Sequence, residues 1–391
     1  MQNRHETRYL PSCIQRRHAP SKRCNRRGKQ KGSIAVLAAL SLTALLGFAA
    51  LAVDVADLYL VRNELQNAAD AAALAGAPCI YARAQCLNTK NTAPDWSTAQ
   101  QKSSAAIAMN RSTGAALTNG LVEYGYWNIT GSPAGLQALP MKPGSNDLPA
   151  VKVTISRSTG NNGGVVPTFF ARIFGVKGTP VSASAVAVIS YPGYAGPGSL
   201  FPVAITKCMY DNYWNSTTGA PYTATSTNPS GFDLPQTIGQ PYIFKVTSSY
   251  HAGPCEAGQW TSLDIDSNNV PTIRNLISNG NSAGVLIDGS TNGSVWIQPG
   301  TKTTLYSSVD ACSAEGTKSC EYVTVPVVQD ISTHAYNAVV AFACLHILSA
   351  TGGSGKYIVV QMSNNPDYCQ ASNSGGIGPA YGSLTPPRLA H

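Results

Sequence analysis

Three short strings in this 391-residue chain hold residue types that could do chemistry, and each fails on what that chemistry needs around it. Gly280-Asn281-Ser282-Ala283-Gly284 matches the Gly-x-Ser-x-Gly pattern of a nucleophilic serine, which requires a strand before the turn and a helix after it. Here a helix-like stretch, 271–279, comes first and a strand-like run, 285–287, follows, so the string predicts a plain turn. Gly352-Gly353-Ser354-Gly355-Lys356 resembles a phosphate loop, but that loop needs Gly at 350 and Ser or Thr at 357. Ala350 and Tyr357 stand there, and a hairpin turn is expected. Asp264, Asp266 and Asn268 begin like a calcium loop and lack its Gly and closing Glu. His251, His334, His346 and His391 show no paired zinc spacing. No catalytic residue, cofactor site or metal site is predicted.

Ten cysteines offer a different chemistry. Cys13 and Cys24 precede a long apolar run; Cys79, Cys86, Cys208, Cys255, Cys312, Cys320, Cys344 and Cys369 follow it. An even eight in a loop-rich, exported stretch reads as a disulfide framework, with free buried thiols as the alternative. Eight cysteines allow 105 connectivities. The expected ones are the short closures Cys79 with Cys86 and Cys312 with Cys320, then Cys208 with Cys255 and Cys344 with Cys369. The intervals within the short closures exceed the C-x2-4-C of zinc sites.

The net charge of +8 is confined to one end. Residues 1–32 carry ten Lys or Arg and one acid, a balance of +9, and the remainder carries −1. A basic tail before an apolar run sets topology rather than binding nucleic acid. No charge falls between Lys31 and Asp54. Residues 33–53 would form a helix about 31 Å long, which matches the hydrocarbon core of a bilayer. Six Leu, one Ile, two Val and one Phe contribute roughly −3 to −6 kcal/mol towards insertion. A cleaved signal peptide would have a shorter core and a small-x-small cut; Ala50–Ala52 could mimic one, but the apolar run passes directly into a second helical stretch. The expected arrangement is a cytoplasmic basic tail (1–32), a transmembrane helix (33–53) and its extracytoplasmic continuation (54–76).

Leu58, Val61, Leu65, Ala68, Ala72 and Ala75 repeat at helical spacing. Gly76 suits a helix C-cap and Pro78 stops continuation. This seam of small residues would pack on the protein's own exported domain or on a partner helix.

The stretch 31–77, KGSIAVLAALSLTALLGFAALAVDVADLYLVRNELQNAADAAALAGA, closely resembles the N-terminal region of TadG-like Flp pilus assembly proteins. The likeness rests on the basic residues and Gly32 before the run, Ala-Val-Asp-Val at 52–55, and Asn-Glu-Leu-Gln-Asn-Ala-Ala-Asp-Ala-Ala-Ala-Leu-Ala-Gly at 63–76. VKVTISR (151–157), VPTFFARIFG (166–175) and VSASAVAVI (181–189) resemble the exported part of such proteins. The resemblance implies a non-catalytic envelope protein of the tight-adherence pilus apparatus, with pilus-assembly or envelope proteins and the lipid bilayer as partners. Related minor pilins have a Glu five residues after the cleavage-site Gly; Leu37 stands at that spacing from Gly32, which favours an uncut anchor. Larger relatives carry a von Willebrand A-type metal motif; the nearest string, Asp288-Gly289-Ser290-Thr291-Asn292, departs from it in its last residue.

Beyond the helix, Gly and Pro (36 and 25 residues) and a charged fraction of only 12% favour turns and short strands with a Ser/Thr/Asn surface. A helix is expected at 96–110 and strands at 151–157, 181–189, 242–246, 285–287, 322–328, 339–344 and 357–362, with Pro326 marking an edge or bulge. The stretch 335–348 reads as strand pair or helix. The fold class is α+β: a long N-terminal membrane-spanning helix, then a β-rich, disulfide-braced exported region. Its parts are a first domain (77–190), a Pro/Gly-rich linker (191–202), a second domain (203–370) and a flexible tail (371–391). The location is the bacterial inner membrane, single-pass, with the C-terminal region periplasmic or extracellular; no small-molecule substrate is expected. The alternatives are an anchored adhesin using Tyr210, Tyr213 and Trp214 on carbohydrate, and an exported hydrolase using Ser282.

Overall fold

The computed structural model describes residues 33–81, 86, 94–141, 143–144, 146–216, 219–253, 255–287, 293–365, 367–371 and 373–390. The basic tail with Cys13 and Cys24 and the string 288–292 lie outside them. The chain divides into two compact units, Met1–Val53 and Asp54–His391.

Helix α1, Ser33–Gly76, runs without a break because its one internal Gly, Gly47, and its β-branched residues are too few to interrupt it. In the first unit Leu37, Leu40, Leu45, Leu46 and Phe48 are all exposed. Ser41 and Thr43 donate to the carbonyls of Ala38 and Ala39, so their hydroxyls are satisfied within the helix. This stretch is long and apolar enough to cross a membrane.

In the second unit, a short 3-10 turn, Ala77–Ile80, leads by way of Cys86 to α2, Trp96–Ile107. Asp95 caps α2 by accepting the Thr98 N–H at 3.0 Å. The expected helix 96–110 ends three residues early, where Asn110 turns its amide back onto the Ala106 carbonyl. A five-stranded antiparallel sheet follows, in the spatial order Arg388–Ala390, Val181–Val188, Asp147–Arg157, Leu121–Asn128, Leu136–Gln137. Strand Asp147–Arg157 alternates buried and half-buried residues from Val151 onward, as its apolar–polar alternation dictates.

The C-terminal half forms a different structure. Strands Val203–Thr206, Tyr322–Val328, Ala335–Thr351, Tyr357–Met362, Ile243–Ser248 and Ala257–Leu263 pair in that order, and the last pairs with the first. The pairings close a six-stranded ring, which removes sheet edges. Two neighbours in it, Val203–Thr206 with Tyr322–Val328 and Ile243–Ser248 with Ala257–Leu263, are parallel. A seventh strand, Ser294–Ile297, bridges Ala257–Leu263 and the first residues of Ala335–Thr351. Phe201, Val203, Val246, Val325, Leu345 and Ile358 belong to one buried cluster, a packed core rather than a channel. Helices α3 (Lys207–Tyr213), α4 (Val270–Asn279) and α5 (Leu305–Cys312) complete it.

Several expectations need correction. Residues 335–348 form neither a strand pair nor a helix but part of one 17-residue strand, long enough to pair successively with three others. Pro326 lies inside the ring and not at an edge, opposite Phe342 and one residue before a register shift at Val327 and Val328, so of its two expected settings the bulge is the one found. The segment 191–202 does not separate two domains, because Tyr194–Ala195 pairs with Val285–Leu286 and residues 54–391 cluster as one unit. Nor does the tail hang free: Leu384 is buried against the core of the first sheet, and Arg388–Ala390 adds that sheet's outer strand.

Candidate functional site

The residues with a role beyond the fold's own bulk gather on the second half of α1. Val61, Leu65, Ala68, Ala69, Ala72 and Ala73 are at most 1% exposed. They share a buried cluster with Val151, Val153, Ile155, Ala183, Ala185 and Ala187 of the five-stranded sheet. Burying Val61 and Leu65 contributes about 1.5–3 kcal/mol each, and the alanines beyond them let helix and sheet approach closely. Leu58 is partly buried against the same cluster. Ala75 is exposed, which corrects its place on the expected seam. The true stripe runs 61, 65, 68, 69, 72, 73 and 76, because a 3.6-residue turn carries a wide face rather than one row. Gly76 also has another reason for being Gly. Its φ is −83°, ordinary helix, but a Cβ there would lie 2.7 Å from the Ala99 carbonyl oxygen, where α2 crosses.

Polar side chains on α1 fix the seam at three heights. The Asp54 carboxylate accepts backbone N–H bonds from Phe169 (2.8 Å), Phe170 (3.1 Å) and Ala171 (2.7 Å). Further along, Glu64 accepts from the Ser112 hydroxyl at 2.9 Å and the Thr113 N–H at 2.8 Å. Gln66 donates to the Ser184 carbonyl at 3.1 Å. Bonds from N–H groups to a carboxylate are stronger than neutral ones, so Asp54 and Glu64 act as clamps. Sequence reasoning missed both. The one available signal was an acidic residue at the end of an apolar run, Asp54; Glu64 sits among Arg62, Asn63 and Gln66 and gives none, and the partners of both lie far away in the chain.

The eight cysteines that follow the apolar run are all joined in disulfides: Cys79–Cys86, Cys208–Cys255, Cys312–Cys320 and Cys344–Cys369, with Cα separations of 5.5, 4.8, 5.0 and 5.5 Å. The first closes the loop at the far end of α1; the other three lie in the half that holds the ring.

A cleft of about 720 Å³ opens beside Tyr81, Tyr126, Asp147, Tyr191 and Ala380. The Tyr81 and Tyr191 hydroxyls stand 3.1 Å apart, and burial pushes both phenols above their usual range, which keeps them neutral. Asp147 is occupied by the Asn128 amide and the Gly144 N–H, each at 2.7 Å.

The strings with chemical potential serve structure. Ser282 follows α4 and precedes Val285–Leu286; its hydroxyl donates to Asp264 at 2.7 Å, and Asp264 also takes the Ala283 N–H. Asn268 accepts the Trp296 indole N–H. Residues 352–356 turn between two paired strands. Among the described residues no cluster of three His, Cys, Asp or Glu could hold a metal. Tyr210 and Trp214 are buried, with Tyr210 stacked on Tyr381 and Tyr213 on Phe244. Tyr210 and Trp214 are thus taken up by the core, and Tyr213 is half-buried against it.

Two family models match the chain: one described as Flp pilus-assembly TadE/G-like, over residues 32–83, and one described as Tad-like Flp pilus-assembly, over residues 61–187. The N-terminal region is that of a TadG-like Flp pilus-assembly protein. No match was found among curated proteins or among solved structures. The TadG-like region takes in the apolar run, the clamped seam and the sheet strands up to Ala187, while the six-stranded ring lies beyond it. Both matching families are pilus-assembly components, so this region has a pilus-assembly-related role.

Proposed function

We propose that the protein is a non-catalytic, single-pass component of a Flp-type pilus assembly machine, anchored in the bacterial inner membrane by residues 33–53. The basic tail stays in the cytoplasm and residues from Asp54 onward are exported. The family match over residues 32–187 carries this reading. The charge asymmetry supports the orientation, since Lys and Arg are retained on the cytoplasmic side. Four disulfides suit an oxidising compartment outside the cytoplasm. The work is mechanical: the seam and its clamps fix the second half of α1 within the exported body, and that body meets other pilus-assembly or envelope proteins. Deleting the gene should remove or sharply reduce surface pili counted by electron microscopy; normal piliation in the deletion strain would refute the proposal.

A further inference from the structure

A loop in the second unit leaves large apolar side chains in solvent without being loose. Strands Val166–Pro167 and Gly178–Thr179 pair as a hairpin and close residues 168–177 between them. Inside, Ala171–Phe174 forms a 3-10 turn that ends on Gly175 at φ 87°, a left-handed position suited to Gly. Thr168 ties the two sides together, its hydroxyl donating to the Val176 carbonyl and its N–H to the Lys177 carbonyl. Yet Phe169, Phe170, Ile173, Phe174 and Val176 all face outward, Ile173 at 81% and Phe174 at 86% exposure. A backbone bonded this fully, holding that many rings out of the core, is built to meet an apolar medium.

The clamp on Asp54 indicates which medium. Three successive N–H groups of this loop, from Phe169, Phe170 and Ala171, bond to the Asp54 carboxylate. Asp54 is the residue immediately after Val53, the last of the apolar run. The loop is therefore fixed within hydrogen-bond reach of the point where that run ends. Tyr59, five residues further along the helix, is exposed, about 7.5 Å on, where an aromatic ring suits a headgroup layer. Arg172 and Lys177, both exposed, alternate with the apolar residues as in segments that lie in a bilayer interface.

We infer that residues 168–177 form a second membrane contact, in which Phe169, Phe170, Ile173 and Phe174 enter the headgroup–acyl boundary beside the end of the anchor while Arg172 and Lys177 meet lipid phosphates. This rests on the proposed anchor at residues 33–53. A single helix leaves an attached domain free to swivel about its axis. A second contact, held on Asp54 by three N–H bonds, would restrict that freedom.

The test uses the full chain in phospholipid nanodiscs, with Phe174→Trp and, as a second reporter, Ile173→Trp. Both positions are so exposed that the substitutions leave the core untouched. The inference predicts that the added Trp emission, taken as the difference from the parent chain, is blue-shifted and cut at least twofold by lipids brominated near the headgroup, while aqueous iodide leaves it unchanged. Quenching by iodide and not by bromolipid would overturn the inference. Shielding from both would place a protein surface, here a second copy of the chain, over the loop and overturn it equally. Whether the chain enters the nanodisc at all is read separately by co-purification; failure there overturns the anchor itself, whereas a chain that enters with a water-exposed loop overturns only the second contact.

Discussion

The two halves of the second unit, Asp54–His391, are held together by opposite means. Around α1 the core is aliphatic and holds no fully buried aromatic ring: Ala68, Ala69, Ala72 and Ala73 of the helix and Ala183, Ala185 and Ala187 of the sheet lie among Val61, Leu65, Val151, Val153 and Ile155, with specificity supplied by the Asp54, Glu64 and Gln66 bonds. The six-stranded ring instead buries Tyr210, Trp214, Phe244, Trp260 and Tyr306 and is stapled by three disulfides. Small residues let a helix lie close to a sheet and make position depend on polar bonds at particular heights. Large residues fill volume and make stability depend on their presence. The family models stop at Ala187, so the shared part is the close-packed one.

The contrast can be broken at several points. Tyr210→Ala should cost the most, about 3–5 kcal/mol on the scale of other aromatic truncations, seen as a lower denaturant midpoint of the full chain in detergent. Removing Cys208–Cys255, partners 47 positions apart in sequence, should cost about 4 kcal/mol by loop-closure entropy, against about 2.5 kcal/mol for Cys79–Cys86, separated by 7. Equal losses from the two would erase the asymmetry between halves. On the seam the direction reverses, and enlargement is what hurts: Ala72→Leu should destabilise by about 1–3 kcal/mol, whereas a neutral result would mean that the helix does not lie tight on the sheet. Asp54→Asn should act most locally, speeding hydrogen exchange at Phe169–Ala171 while leaving the ring's amides as they were. Slowed or unchanged exchange there would remove the clamp from the account.

Alkaline pH sharpens the same contrast. Burial pushes the Tyr306 phenol up to about 12, against about 10 for an unfolded Tyr. The neutral form is therefore favoured in the fold, and its contribution is intact below pH 10 and lost as pH rises through about 12. In the difference between the parent chain and Tyr306→Phe, phenolate absorbance already appearing at pH 10 would show the ring's core to be open.

What the sequence made legible followed from local pattern. The apolar run and the absence of Gly or Pro between Gly47 and Gly76 define α1, and the alternation at residues 151–157 defines a strand. The ring was illegible for the opposite reason: its closure joins residues far apart, as in the pairing of Val203 with Trp260, and short strands such as Val203–Thr206 carry no period of their own. The tail's strand, Arg388–Ala390, takes its conformation from pairing with Val186, Ala187 and Val188, which composition cannot announce. The clamps were hidden in the same way, since Asp54 and Phe169 lie 115 residues apart. Ala75 shows a smaller failure: a step of three from Ala72 leads off the buried face, which continues instead at Ala73 and Gly76.

The claim on which the rest depends is that a pilus-assembly component works from a membrane anchor. It is tested most directly by complementing a deletion strain with two versions of the gene. One encodes the full chain; the other encodes residues 54–391 exported behind a cleavable signal peptide, with both proteins brought to equal levels. The account predicts that surface pili return with the full chain and not with the unanchored one. Equal piliation from the two would contradict it.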